Sequence, residues 1–264
     1  MTYPPAVHLL RDLGFRSSRD GDTSTASLEI TPGLRDRHGL RLGVLATLVD
    51  VSGAGIALAA VAPDWIATAD LQTHLVRPLQ EGVIEIECRP LRVGAKRVVV
   101  DAVLRDGDGV LSGTGRMAFA RIPGSATRAT VEAQSDRQPT KFAMDGGTPI
   151  DDSVLERCGM TAVGPGQLRF DKSPYVENSF GTVNGGVLAL AAEAAAVSAA
   201  GGLHEPDRQA RDLHIHYLEQ IGDGPVAVTA EVIRDDDAGH LCTVRIEDRA
   251  TPSRLVAVAD VLVV

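Results

Sequence analysis

The chain carries an internal repeat, and that repeat limits its fold more than any other feature. Residues 42–63 read LGVLATLVDVSGAGIALAAVAP, and residues 185–200 read GGVLALAAEAAAVSAA. Setting Gly43 over Gly186 aligns Gly-Val-Leu-Ala at 43–46 with the same four residues at 186–189, and it sets Asp50 over Glu193. Downstream, 69–75 (ADLQTHL) match 211–217 (RDLHIHY) with the offset changed by one residue; upstream, 10–15 (LRDLGF) match 155–160 (LERCGM). Two long copies indicate a duplicated domain, because a solenoid needs several short repeats.

Both runs are long enough for a helix and apolar all round, which predicts buried helices. Each holds one carboxylate, Asp50 or Glu193, although isolated buried acids are costly. Their recurrence at one aligned position points to a role. The 42–63 run has the length of a membrane span, but Asp50 sits in its middle and no aromatic belt flanks it. A core helix is the better reading, with no membrane partner.

With aromatics at 3% of the chain, Val, Leu, Ile and Ala must fill the core. The formal charge of −9 argues against nucleic acid and anionic membranes as partners. Cys88, Cys158 and Cys242 are too few and too scattered for a disulfide framework or a zinc site. They read as reduced core residues of a cytoplasmic protein. The opening MTYPPAVHLLRDLG lacks the pattern of a signal peptide.

Taken in order, 5–13 predict a short amphipathic helix and 23–31 a strand ended by Pro32-Gly33. A polar loop over 34–41 leads to the long helix, and strands follow over 65–76, 83–91, 97–105 and 110–120. The second copy predicts a short helix over 152–158, a strand over 167–175, a loop over 176–184 and the second long helix. Four strands then follow, over 211–219, 225–234, 240–248 and 254–264. The last of these, nearly all apolar, should be buried on both faces. The fold class is α+β: two tandem units, 1–121 and 152–264, each a long helix wrapped by an antiparallel sheet, joined by a Pro/Gly/Ser-rich linker over 122–151.

The loop Asn178-Ser179-Phe180-Gly181-Thr182-Val183-Asn184-Gly185-Gly186 opens the second helix, whose acid lies eight residues past Gly185. An apolar helix entered through such a loop resembles the hotdog-fold acyl-CoA thioesterases, the PaaI-like group above all, here as a double hotdog. Asn184 stands where that family usually has His. The first copy, Arg35 to Gly43, departs further, with Arg for Asn and Leu for the first Gly, yet keeps Asp50, the family's usual acid.

The resemblance implies hydrolysis of an acyl-CoA to free acid and CoA, with no cofactor beyond the CoA of the substrate. It also implies a site shared between facing units. Asn178 and the Gly185 N–H should polarise the carbonyl, Asp50 should act as base or nucleophile, and Thr68 should help to hold the attacking water. The reciprocal site, Glu193 with Arg35 and Leu42, has Ala210 in place of Thr68 and reads as degenerate. Further pairing into a homodimer stays open.

Two other readings remain open. One is a non-catalytic acyl- or acyl-CoA-binding protein, favoured by Asn184 and the altered first loop. The other is a hotdog dehydratase using His38. His214 and His216 share one strand face and could suggest a metal, but without an obvious carboxylate or Cys partner they read as a polar face. Arg35, Arg37 and Arg41 read as solvated loop charges.

Overall fold

A computed structural model describes residues 3–124, 140–143, 146–201, 208–250 and 252–264. The first half runs α1 (Leu9–Asp12), β1 (Arg16–Asp20), β2 (Thr23–Glu29), a 3-10 turn at Pro32–Leu34, β3 (Arg35–Asp36), β4 (Gly39–Leu40), α2 (Leu42–Val61), β5 (Trp65–Leu75), β6 (Val83–Val93), β7 (Arg97–Asp106) and β8 (Leu111–Ile122). After β9 (Thr140–Ala143), the second half runs α3 (Val154–Arg157), β10 (Thr161–Gly164), β11 (Gln167–Phe170), α4 (Gly185–Gly201), β12 (Ala210–Tyr217), β13 (Val226–Asp236), β14 (Gly239–Asp248) and β15 (Arg254–Val263).

The repeat becomes a pseudo-twofold. One 13-stranded antiparallel sheet has the order β10-β11-β13-β14-β15-β12-β5-β8-β7-β6-β2-β1-β9, and apart from β9 each strand mirrors its repeat equivalent about the β12–β5 junction. The two long helices lie against each other under this sheet. A methyl on Gly43 would stand 2.4 Å from the Leu190 Cα, and one on Gly186 2.6 Å from the Thr47 Cα. These contacts are mates in the repeat, so the shared glycines are what let the helices touch. α2 has the length and apolarity of a membrane span, but it is mostly buried inside this fold. The predicted fold, two tandem hotdog units, is the one observed, with their sheets joined into one.

Several details differ from the sequence reading. β1 and β10 are edge-side strands that bury no side chain fully, with no apolar alternation to announce them. β9 lies within the expected linker and pairs with β1; 125–139 and 144–145 of that linker lie outside the described residues. The strand expected over 167–175 stops at Phe170. β15 is central in its half but not buried on both faces. Ala257, Ala259, Val261 and Val263 point into the core while Asp260 between them is exposed. An antiparallel sheet with helices on one face requires only that alternation.

The start of the chain is fastened to the far half. His8 Nε2 pairs with the Glu177 carbonyl at 2.8 Å, and the Leu9 N–H donates to the Tyr175 carbonyl at 3.1 Å. Asp12, nearly buried, accepts from the Tyr175 hydroxyl at 3.0 Å and from Arg157 at 3.3 Å.

Candidate active site

Asp50 lies on α2, only 6% exposed. Burial, the largest influence, raises its pKa from 3.8 to about 6, and a hydrogen bond from Thr68 opposes the rise. That bond runs from Thr68 Oγ1 to Asp50 Oδ1 at 2.7 Å. Strand parity alone would turn Thr68 outward with Asp70, Gln72 and His74. A bulge between Thr68 and Asp70 reverses it, as bulges re-aim side chains next to functional sites.

The far wall comes from the second half. Asn184 caps α4, its Oδ1 accepting from the Gly186 N–H at 2.8 Å, so the chain turns into the helix at Gly185. The Gly185 N–H is one of the unpaired donors of a helix start, at the positive end of the helix dipole. A methyl on Gly185 would stand 3.2 Å from Asp50 Oδ2 and 3.4 Å from the Tyr217 ring. The missing side chain therefore leaves space bounded by a carboxylate, a helix N-terminus and an aromatic ring. The Tyr217 hydroxyl donates to the Gly185 carbonyl at 2.8 Å, which fixes that turn. Tyr3 closes in from the chain start, its hydroxyl donating to the Glu177 carbonyl at 3.3 Å.

Of the residues singled out from sequence, Asp50, Thr68 and Gly185 converge. Asn178 does not behave as expected. Its Nδ2 donates to Thr182 Oγ1 at 2.8 Å, while its Oδ1 accepts from the Phe180 N–H at 2.9 Å and the Thr182 N–H at 3.3 Å. The side chain is engaged in its own turn, as Asn in such loops often is. Tyr217 and Tyr3 were missed. The repeat held a signal for Tyr217, which stands where the first copy has Leu75; nothing in the sequence marked Tyr3.

The reciprocal position differs. Glu193 is fully buried, and Arg41 Nη1 lies 3.3 Å from its Oε1. Burial still dominates and lifts its pKa from 4.5 to about 7, against the pull of Arg41 and with a push from Asp36. Among the described residues, Glu193 Oε2, Asp36 Oδ2 and His38 Nε2 are buried without a hydrogen-bond partner. Arg35 does not join the acid, donating instead to the Gln80 carbonyl at 2.7 Å. Leu42 fills the place of Gly185, fully buried.

The family comparisons fall on the two halves separately. The model of the thioesterase superfamily matches residues 42–112, and that of the acyl-CoA thioesterase N-terminal domain matches residues 176–262. No curated protein matches the chain. Among solved structures, a Lactobacillus plantarum protein with the provisional name oleoyl thioesterase is similar at 11% identity and TM-score 0.61, covering 96% of this chain and 98% of that one. An acyl-ACP thioesterase from Bacteroides thetaiotaomicron is similar at 16% identity and TM-score 0.54, covering 92% and 98%. At such identities the likeness shows the fold. With a thioesterase-family match in each half and one pseudo-twofold sheet joining them, the chain belongs to the hotdog-fold thioesterase superfamily as a tandem double hotdog, a thioester hydrolase by class.

Proposed function

We propose that the chain hydrolyses acyl-CoA thioesters at one composite site, with Asp50 and Thr68 from the first half and Gly185 from the second. The observation that carries this reading is the buried Asp50 carboxylate, raised to about 6 and facing the open N-terminus of α4. An acid tuned towards neutrality is a better base than a surface carboxylate and remains ionised at pH 7. As base, Asp50 takes a proton from water while the water oxygen bonds to the thioester carbon. The oxyanion forms opposite the Gly185 N–H, where donor and dipole stabilise it. The carbon–sulfur bond then breaks, and the departing CoA sulfur takes the proton from Asp50. Thr68 holds the carboxylate in place by its hydrogen bond.

The PaaI-like group fits the helix acid and the glycine entry. A cytoplasmic location fits the three buried free cysteines. One observation favours a second reading, acyl-thioester binding without turnover: Asn178 is held by Thr182, and Asn184 serves as a helix cap. Incubating the pure protein with a panel of acyl-CoAs and a thiol reagent separates the two. Release of free CoA, lost in Asp50→Asn, supports hydrolysis; saturable binding without release supports the second reading.

A further inference from the structure

The β12–β5 junction joins the halves, and its solvent face carries polar side chains that the proposed hydrolysis does not use. Asp70, Gln72 and His74 of β5 lie opposite His216, His214 and Asp212 of β12. His214 Nε2 and His216 Nδ1 each approach Asp70 Oδ2 at 2.8 Å. The two rings lie 4.2 Å apart, and the three ligand atoms fall within 4.8 Å of one another. In sequence the carboxylate next to these histidines is Asp212, which pairs with His74 instead. The carboxylate that meets both rings is Asp70, 144 residues from His214.

We infer that Asp70, His214 and His216 form a binding site for a first-row divalent cation, bridging the two halves. Two imidazoles and a carboxylate are a donor set that suits zinc, with ligand distances of about 2.0–2.2 Å. Each imidazole coordinates through a ring-nitrogen lone pair, its proton resting on the other ring nitrogen. Small side-chain rotations open the cluster enough to admit an ion. The side chains keep 27%, 34% and 50% exposure at Asp70, His214 and His216, so an ion reaches them from solvent. The Gln72 carboxamide, 3.3 Å from His214 Nε2, presents its oxygen on rotation, and water completes the set. All three ligands stand on paired strands, the rigid support that metal sites need.

The pseudo-twofold supplies a control. His74 with Asp212 is the mate of His216 with Asp70, but the mate of His214 is Gln72, so the second cluster has one imidazole fewer. One ion per chain is expected. The test strips the full chain with a chelator and titrates it with zinc chloride by calorimetry, and with cobalt(II) by visible absorption.

Stoichiometry should be one. Asp70→Asn, His214→Gln and His216→Gln should each weaken binding at least about tenfold, since even outer-shell changes cost that much. His74→Gln should leave binding unchanged. Because only the folded chain brings the ligands together, zinc at 100 times its Kd should shift the folded-to-unfolded ratio about 100-fold and raise Tm, reversibly with chelator. That rise should vanish in His214→Gln, whose fold is checked by its metal-free melting curve. Binding equal in the wild type and in the triple variant of these three residues, or no binding at all, overturns the site.

Discussion

Asp50 and Glu193 sit on equivalent turns of two equivalent helices, both buried, yet their surroundings point to opposite uses. Asp50 has a hydroxyl behind it, Thr68, and a glycine in front of it at the opening of α4. Glu193 has Ala210 in place of the hydroxyl, Leu42 in place of the glycine and the Arg41 guanidinium on one oxygen. The helix contacts of Gly43 with Leu190 and Gly186 with Thr47 remain symmetric. The fold therefore retains the acid-bearing helix pair in both places, and the neighbours decide whether a carbonyl can approach the acid. An opposing cation and a filled space make Glu193 an internal ion pair, which is weak evidence for stability and none for turnover.

The largest effect expected is at Asp50. Asp50→Asn should lower kcat by on the order of 10²–10⁴, the range for losing a general base, whereas Glu193→Gln should change it less than about threefold by the contrast above. Steady-state kinetics on both variants checks this, and equal losses would break the asymmetry. kcat/KM should rise with pH through about 6 as Asp50 ionises in the free protein. Stability should move the other way. The folded pKa lies above the usual 3.8, so the folded chain holds this proton longer than the unfolded one. Its contribution is fully present below 3.8 and is lost as pH rises to about 6. The loss is on the order of 3 kcal/mol for a shift of this size. Asp50→Asn should therefore raise Tm at pH 8 and leave it unchanged at pH 3.

Next in size is the glycine. Gly185→Ala would put a methyl 3.2 Å from Asp50 Oδ2, in the space a carbonyl must enter. Alanine suits a helix better than glycine does, so folding should hold while kcat/KM falls on the order of 10², the scale for misplacing a substrate by about 1 Å. Its counterpart Leu42→Ala should do the reverse. Turnover should survive while stability drops by about 2–5 kcal/mol from the emptied core, read by denaturant unfolding.

Thr68→Val should cost less, roughly tenfold near pH 6. The lost hydrogen bond favours the ionised carboxylate, so its removal raises the Asp50 pKa further and moves the acid limb of the kcat/KM profile to higher pH. Thr68→Ser should restore the limb. A uniform loss at every pH would mean that the hydroxyl touches substrate instead of tuning Asp50.

The repeat made the fold and half of this asymmetry legible. An apolar helix with one acid, read twice, predicts buried helices packed across a twofold, and the replaced residues at 42 and 210 already separate the two sites. What stayed hidden depends on contacts far apart in sequence or on local turn geometry. Tyr3 reaches the second half because His8 and Asp12 fasten the chain start there. Asp70 meets His214 and His216 only once β5 and β12 pair. The bulge that turns Thr68 inward leaves no mark on strand periodicity. β1 and β10 gain their pairing from neighbours, not from an apolar face of their own.

The smallest effect expected is at Asn178, where the resemblance alone pointed to a large one. A side-chain donor of an oxyanion site costs about 10²–10³ in kcat when removed. Here the Asn178 amide already donates to Thr182 Oγ1 at 2.8 Å, and its oxygen accepts two backbone N–H groups. Removing it loosens the 178–182 turn, which leads into Asn184 and Gly185. Asn178→Ala should therefore lower kcat less than about tenfold and reduce stability by about 1 kcal/mol, the net worth of such bonds. Arg35→Ala, its counterpart in the first half, donates only to the Gln80 carbonyl at an exposed site and should change neither. A 10²-fold loss in Asn178→Ala, non-additive with Asp50→Asn, would show that the amide leaves Thr182 when substrate binds and joins the oxyanion donors as one unit with the acid. A loss in KM alone would place it in holding the loop for substrate entry.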